Sequence, residues 1–508
     1  MKTTNTLIDV TTDRTICSNA GTLLLADTAT TLGVSDVLDA ELGGLTPDTV
    51  THTSGTVLTS LAVALTAGAT CLDDLRLLNP LVSTGLTTAT GSVATAHRRL
   101  HQLANHVDRV DERISRSMRT LRTRAWTALG DLNPTTTATR DDPLIIDIDA
   151  SLIHIHSTKQ NAGPTYKKGY GFHPLCAFVD HGPGLGGEPL AMLMRPGNTG
   201  ANNADDHLTL IRDAYRALPG SQTGGNIGHR ILVRTDGAGG TKNVAAYLHS
   251  RGFAYSLGIR VNEKIGALVS TLADEVKQGV LRPGADGGVT DTGTAYVADI
   301  TGLLSTGKAG EYGINLDRFP SDTRVIVRVE YPAAGCQLRI TDVDGRRVTA
   351  FITNSAGQPQ VLDLRHRGRG RCEQRIKDAK DLGFLAVPHH SFAANRIWMH
   401  AVFIAGALST WSRLLGADPA QLSAAKKTAT DMRRSSHQSK SLVAKMARTA
   451  ARSWWWLWDP GSLRARVLST AATVARHARQ LRVHLDGNAP HAGLLAAALA
   501  RIRSLTMV

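Results

Sequence analysis

Residues 143–157 read PLIIDIDASLIHIHS. The run is apolar and rich in β-branched side chains, the composition of a strand buried on both faces. Side chains alternate along a strand, so Asp147 and Asp149 share one face. A buried strand is a costly place for an unpaired acid, and such an acid wants a partner.

The neighbouring sequence extends this strand into a core. GYGFHPLCAFVDHG and EPLAMLMRPGN predict two more strands, joined through the glycine-rich turn GPGLGG. ADDHLTLIRDAYRAL is an amphipathic helix with a capping Asp. HRILVRTDGAGG is a further buried strand that ends on Asp236. NVAAYLHSRG is helical and FAYSLGI is again a strand. Three strands, helix, strand, helix, strand predicts an α/β core over residues 141–260, with antiparallel leading strands.

Residues 1–140 are expected to form a helical, DNA-binding N-terminal region, closing in the linker-like NPTTTATRDDP. Residues 261–360 are expected to form a β-rich insertion built from AYVADIT, RVIVRVEY, QLRITDV and RVTAFIT, with a two-residue hairpin turn at Asp344–Gly345. Residues 361–415 complete the core. Residues 416–508 form a basic region, and the whole of 382–508 is expected to be helical, broken at WWWLWDPG.

A second informative stretch, residues 365–380, reads RHRGRGRCEQRIKDAK. Arg369, Glu373 and Lys377 stand four residues apart and Lys380 seven beyond Glu373, so helical spacing puts all four on one face. Cations around a carboxylate lower its pKa and make it a poor general base. The same arrangement suits a metal ligand whose neighbours grip phosphate. Asp149 and Asp236 lie at strand ends, where reactive groups gather in α/β sheets. A metal pair shared by Asp149, Asp236 and Glu373 would satisfy all three acids, and hard oxygen ligands suit Mg2+ or Mn2+. Spacing alone does not choose between Asp147 and Asp149 as the first of them.

Charge supports a polyanionic partner. The net charge is +14, and residues 361–508 hold 24 Lys and Arg against 8 Asp and Glu, while the first 360 residues balance at −2. The five cysteines are scattered, with no CxxC pair, so neither a disulfide framework nor a zinc site is expected, and a reducing cytoplasm fits. No apolar run approaches bilayer-spanning length, and the N-terminal MKTTNTLIDVTTDRTICSNA has no apolar segment of a secretory signal.

In order and spacing these motifs resemble bacterial insertion-sequence transposases of the DDE superfamily, with a ribonuclease-H-like catalytic core. The branch is the one with a Tyr-x2-Arg-x3-Glu-x6-Lys signature and a β-strand insertion before the third acid. That spacing selects His366, at the tyrosine position, with Arg369, Glu373 and Lys380. DIDAS resembles the first-acid region and TDGAGG the second, with Ala238 where a glycine is expected. The resemblance implies Asp149, Asp236 and Glu373 as catalytic ligands of two Mg2+ (or Mn2+) ions. It implies phosphate contacts from Arg369, Lys380, His366 and Lys377. It further implies double-stranded DNA as partner (terminal inverted repeats and target), a homodimer on paired ends, a nucleoid-associated cytoplasmic location, and cut-and-paste excision through a hairpin intermediate. Two rival readings are a metal-dependent nuclease without strand transfer and a non-catalytic DNA-binding descendant of a transposase.

Several weaker signals compete. GLLSTGKA nearly matches a phosphate-binding loop, but Ala309 replaces the required hydroxyl and the stretch is read as a loop. His389 and His390 are read as core or surface histidines rather than ligands. Trp454, Trp455, Trp456 and Trp458 fit a core cluster better than a base-stacking platform. The arginines between Ala96 and Ala128 fit a DNA-gripping face and a solvated face equally.

Overall fold

The computed structural model describes residues 15–506 except 48–49, 89, 202, 222–226, 282–290, 307–309, 435–453 and 478–479. Nine strands form one sheet: β1 (Leu144–Ala150), β2 (Leu175–Asp180), β3 (Gly187–Leu193), β4 (Ile231–Thr235), β5 (Ala254–Ile259), β6 (Gln278–Gly279), β7 (Ala295–Asp299), β8 (Arg324–Glu330) and β9 (Arg347–Thr353). Their order is β6-β7-β8-β9-β5-β4-β1-β2-β3. β1, β2 and β3 pair antiparallel, while β4 and β5 run parallel to β1. This five-stranded 3-2-1-4-5 order is the predicted α/β core.

The β-rich segment does not form a separate sheet. β9 pairs antiparallel with β5, and β8, β7 and β6 extend the same sheet outward. Asp344 and Gly345 both adopt positive φ (51° and 73°), as a two-residue hairpin turn requires, and Val343 bridges Arg346 across them. QLRITDV, expected as a strand, forms none, and its Leu338 and Ile340 are exposed. Thr301–Thr306, expected as part of a loop, is a short helix, while residues 307–309 of that motif lie outside the described residues.

Helices cover the sheet. α1 (Leu23–Leu32), α2 (Val34–Leu42), α3 (Ser54–Ala67), α4 (Val93–Ala104) and α5 (Val107–Ala128) precede it. α6 (Ala204–Arg216) and α7 (Lys242–Ser250) are the crossovers from β3 to β4 and from β4 to β5, capped by Asn203 and Thr241. α8 (Pro359–Arg367), α9 (Gly370–Ala379) and α10 (Phe392–Gly416) follow the sheet, and α11 (Ala492–Ser504) closes the chain. α10 is apolar all round because it is enclosed: it packs on β3, α1, α3, α4, α5 and α11. Its Trp398 and Trp411 are fully buried, each contributing about 1.5–3 kcal/mol or more by removal from water.

Four of the α5 arginines are tied up inside the protein, while Arg109 is exposed. Arg113 donates to the carbonyls of Glu41 and Gly43, Arg116 pairs with Glu41 at 2.9 Å, and Arg124 donates to the Leu32 carbonyl. Arg122 is fully buried, pairs with Glu188 at 2.6 Å and donates to the Pro189 carbonyl. They fasten the N-terminal helices to one another and to β3.

Residues 382–508 are not all helical. Ala472–His477 and Gln480–Leu485 form a hairpin that pairs with Ile16–Cys17 from the other end of the chain. The sequence there is rich in Ala, Arg and Leu, so local propensity favours a helix; a distant strand partner overrides it. Trp455 and Trp456 are buried, and Trp456 donates its ring N–H to the Gly184 carbonyl at 2.9 Å. Part of the basic C-terminal region, residues 435–453, lies outside the described residues.

Candidate active site

Strand register sets the first two acids. On adjacent parallel strands Asp147 is the partner of Arg234, and Ile148 of Thr235. One register step further brings Asp149 opposite Asp236, at the C-terminal edge of both strands. The inner pair is satisfied: Arg234 Nε and Nη2 donate to the two Asp147 oxygens at 2.7 Å each. Asp147 is buried, so it is committed to the core. The outer pair is acid against acid and partly open to solvent.

Asp149 Oδ1 accepts from its neighbour, the Ala150 amide, at 2.9 Å, and Oδ2 accepts from Arg369 at 3.2 Å. Asp236 Oδ1 accepts from the Ala238 amide at 3.0 Å, which fixes the turn after β4. Close backbone approach holds this turn against β5: a Cβ on Gly258 would lie 2.7 Å from the Asp236 carbonyl carbon. Only glycine fits there.

Glu373 comes from the first turn of α9, and its side chain is exposed. α9 lies across β1, β2 and β3. Arg371 clamps it to Asp180 of β2, with both oxygens 2.9 Å away, while Cys372 and Ile376 bury its underside. Arg234 joins the same layer by donating to the Arg365 carbonyl at 2.6 Å. The helical run of this motif is interrupted between Arg367 and Gly370, where Gly368 packs closely over Arg234: a Cβ on Gly368 would lie 2.8 Å from its Nη1.

Electrostatics link the three acids. Burial pushes Asp149 up to about 6, Arg369 pulls it down, and the negative charges of Asp236 and Glu373 push it up again. Among the described residues the ligand oxygens of the three do not all lie within 4.8 Å of one another. Like charges repel, and in this arrangement Arg369 is the cation that Asp149 holds.

Residues 4–435 match the family model described as transposase DDE domain, group 1. The chain belongs to this transposase family. No curated protein matches the chain. Among solved structures it is similar to the piggyBac transposase in a synaptic complex with hairpin DNA, at 10% identity over 87% of this chain and 86% of that one, with a TM-score of 0.36. Membership implies DNA as the partner of this transposase and divalent metal ions as its class of cofactor.

The remaining sequence-selected residues of the transposase fall in different places. Lys380 is exposed at the end of α9, and its charge reaches Cys176, the register partner of Asp149. Lys377 is also exposed, and its charge falls on Asp381 and Asp459 instead. His366 turns toward the sheet. Its Nδ1 is 2.8 Å from Ser256 Oγ and its ring stacks on Phe351 at 4.3 Å. Burial, then Arg369 and Arg234, push it down to about 3, so it is neutral and brings no charge to a phosphate.

Sequence reading missed the layer behind the acids. Arg195, just after β3, is buried; it pairs with Asp206 at 3.0 Å and donates to the His173 carbonyl at 2.8 Å. His173 and His207 are buried beside it, both pushed down by burial and both within the field of Asp236. The one available signal was an arginine closing an apolar strand in MLMRPGN.

Proposed function

We propose that this transposase excises and inserts a mobile DNA element by metal-dependent phosphoryl transfer, with Asp149, Asp236 and Glu373 as ligands of two Mg2+ (or Mn2+) ions. The observation that carries the reading is that burial, together with the charges of Asp236 and Glu373, acids 87 and 224 residues further along the chain, holds Asp149 near 6 against Arg369. Such a pocket is short of positive charge. Its donors are hard carboxylate oxygens, which fit Mg2+ or Mn2+ better than softer ions. Bound there, the ions would supply Lewis acidity at a scissile phosphate and lower the pKa of an attacking hydroxyl.

The chain's own residues do the rest. Arg369 offers a planar fork suited to a phosphate of the cleaved end, and Lys380 a second cation on the same side. Lys377 extends the cationic edge along α9. Arg371 pairs with Asp180 of β2 and Arg234 donates to the Arg365 carbonyl, contacts that would hold α9, and Glu373 with it, over the edge carrying the two aspartates. Cut-and-paste excision through a hairpin intermediate and a homodimer joining both ends complete the proposal.

The test uses a plasmid carrying the element ends. D149N, D236N and E373Q should each abolish cleavage in Mg2+ and Mn2+ while binding end DNA as the unchanged protein does. A pre-cut end supplied with target DNA should be joined by the unchanged protein. Cleavage without joining would favour the nuclease reading, and binding without cleavage the non-catalytic one.

A further inference from the structure

Away from the carboxylates, three histidines converge. His97 and His101 stand one turn apart on α4, with ring centroids 4.3 Å apart. His389, in the segment entering α10, brings its ring to 5.7 Å from His97 and 5.2 Å from His101. One ring nitrogen from each lies within 4.8 Å of the others, which among the described residues no other group of three or more His, Cys, Asp or Glu side chains matches.

We infer that His97, His101 and His389 form a binding site for a divalent transition-metal ion of the Zn2+ type, which ties α4 to the start of α10. Imidazole nitrogens suit such borderline ions, and three of them with an open fourth position is an established ligand number. The i, i+4 spacing on one helix face is the geometry by which a helix supplies two histidines to one ion. Zn–N bonds of about 2.0–2.1 Å require nitrogens about 3.3 Å apart, a tightening that side-chain rotation supplies.

A second observation points to a ligand. His389 is buried, and its Nε2 has no hydrogen-bond partner. Buried polar atoms are rarely left so, and the two rings it faces are the candidates to share an ion with it. The position of His389 is fixed from both sides: its amide donates to Asn395 Oδ1 at 3.0 Å, and its carbonyl accepts from Asn395 Nδ2 at 2.8 Å and from Lys159 Nζ at 3.0 Å. His97 is exposed, which leaves an entry path and room for water at the fourth position.

The protonation state is already suitable. Burial and then His97 lower His101, and burial, His101, His97 and Lys159 take His389 to about 4. Both offer a lone pair at neutral pH without losing a proton first. The ions proposed for the carboxylates are hard and prefer oxygen, so the two sites differ in kind. An ion here would pin the N-terminal helices to α10 and, through Lys159, to the excursion between β1 and β2 that begins just past Asp149.

The experiment titrates the full-length, chelator-stripped protein with Co2+, followed by its visible absorption, and then displaces Co2+ with Zn2+. The unchanged protein and E373Q should each bind one equivalent with a nitrogen-ligand spectrum, and Zn2+ should raise the Tm of both. H97Q and H101Q, on the open side of the cluster, should weaken binding at least tenfold and lose the Zn2+-dependent Tm rise, with metal-free Tm unchanged for H97Q. Absence of a nitrogen-ligand spectrum in E373Q would overturn the inference. So would H97Q binding Zn2+ as tightly as the unchanged protein.

Discussion

Asp147 and Arg234 face each other in register on adjacent parallel strands and close a bidentate pair at 2.7 Å, one step inside Asp149 and Asp236. Two acids of identical chemistry, two residues apart, are therefore separated by what lies beside them. D147A should destabilise the fold by about 3–5 kcal/mol, because it leaves Arg234 buried and uncompensated. At neutral pH D149N should raise stability by on the order of 2 kcal/mol, since it removes a charge that burial and the neighbouring acids disfavour. Denaturant unfolding of both variants, set beside their cleavage rates, checks the contrast.

The position of Asp149 gives a pH dependence of known sign. Its folded value of about 6 lies above the ordinary carboxylate value of about 3.9, so the folded state binds the proton more tightly. Asp149 therefore favours the fold below about pH 4, and that contribution is lost as pH rises through about 6, by on the order of 2 kcal/mol. Metal-free unfolding measured from pH 4 to 7 should show this slope, and D149N should flatten it. Protons compete with cations for the same carboxylate, so cleavage should fall as pH drops through about 6 while DNA binding holds. R369A removes the charge that pulls Asp149 down and should move this acid limb to higher pH.

Arg122 tests the reading of α5. It is buried with Glu188 and donates to the Pro189 carbonyl. R122A should cost about 3–5 kcal/mol by stranding Glu188. The salt dependence of DNA binding by the folded fraction should be unchanged, because no phosphate contact is removed. A shallower salt slope would return α5 to the DNA interface.

The core was legible where local pattern and tertiary environment agree. Ile146 and Ile148 read as a buried strand and are buried. The spacing of Arg369 and Glu373 read as one helical face; Arg369 bonds Asp149 from the cap of α9, and the charge of Glu373 reaches the same acid. Legibility ended where partners come from far along the chain. Nothing near QLRITDV reveals that Leu338 and Ile340 have no strand to pair with, and nothing near Ala472–His477 reveals Ile16–Cys17 as its partner. The pairing of Asp147 with Arg234 decides which acid is free, yet it depends on the register of two strands. His389 read as a core or surface histidine, and only folding brings it against His97 and His101.

Gly368 couples this buried network to the third acid. It stands between α8 and α9 at an ordinary helical φ, so the glycine is needed for space rather than for backbone conformation. A Cβ there would meet Arg234 Nη1 at 2.8 Å and the Arg365 carbonyl oxygen at 3.1 Å, the two atoms that bond each other beneath the break. G368A must push the guanidinium aside or lift the start of α9. The guanidinium is held by Asp147 on its other side, so the helix is the part that yields. Overpacking of this kind costs about 1–3 kcal/mol. The larger effect should be on chemistry, because Glu373 lies five residues further along the displaced helix. G368A should lose at least tenfold in cleavage rate while binding end DNA normally, whereas G370A, with open space at its Cβ, should keep both. Equal cleavage by the two variants would mean that the height of α9 is not set by Arg234.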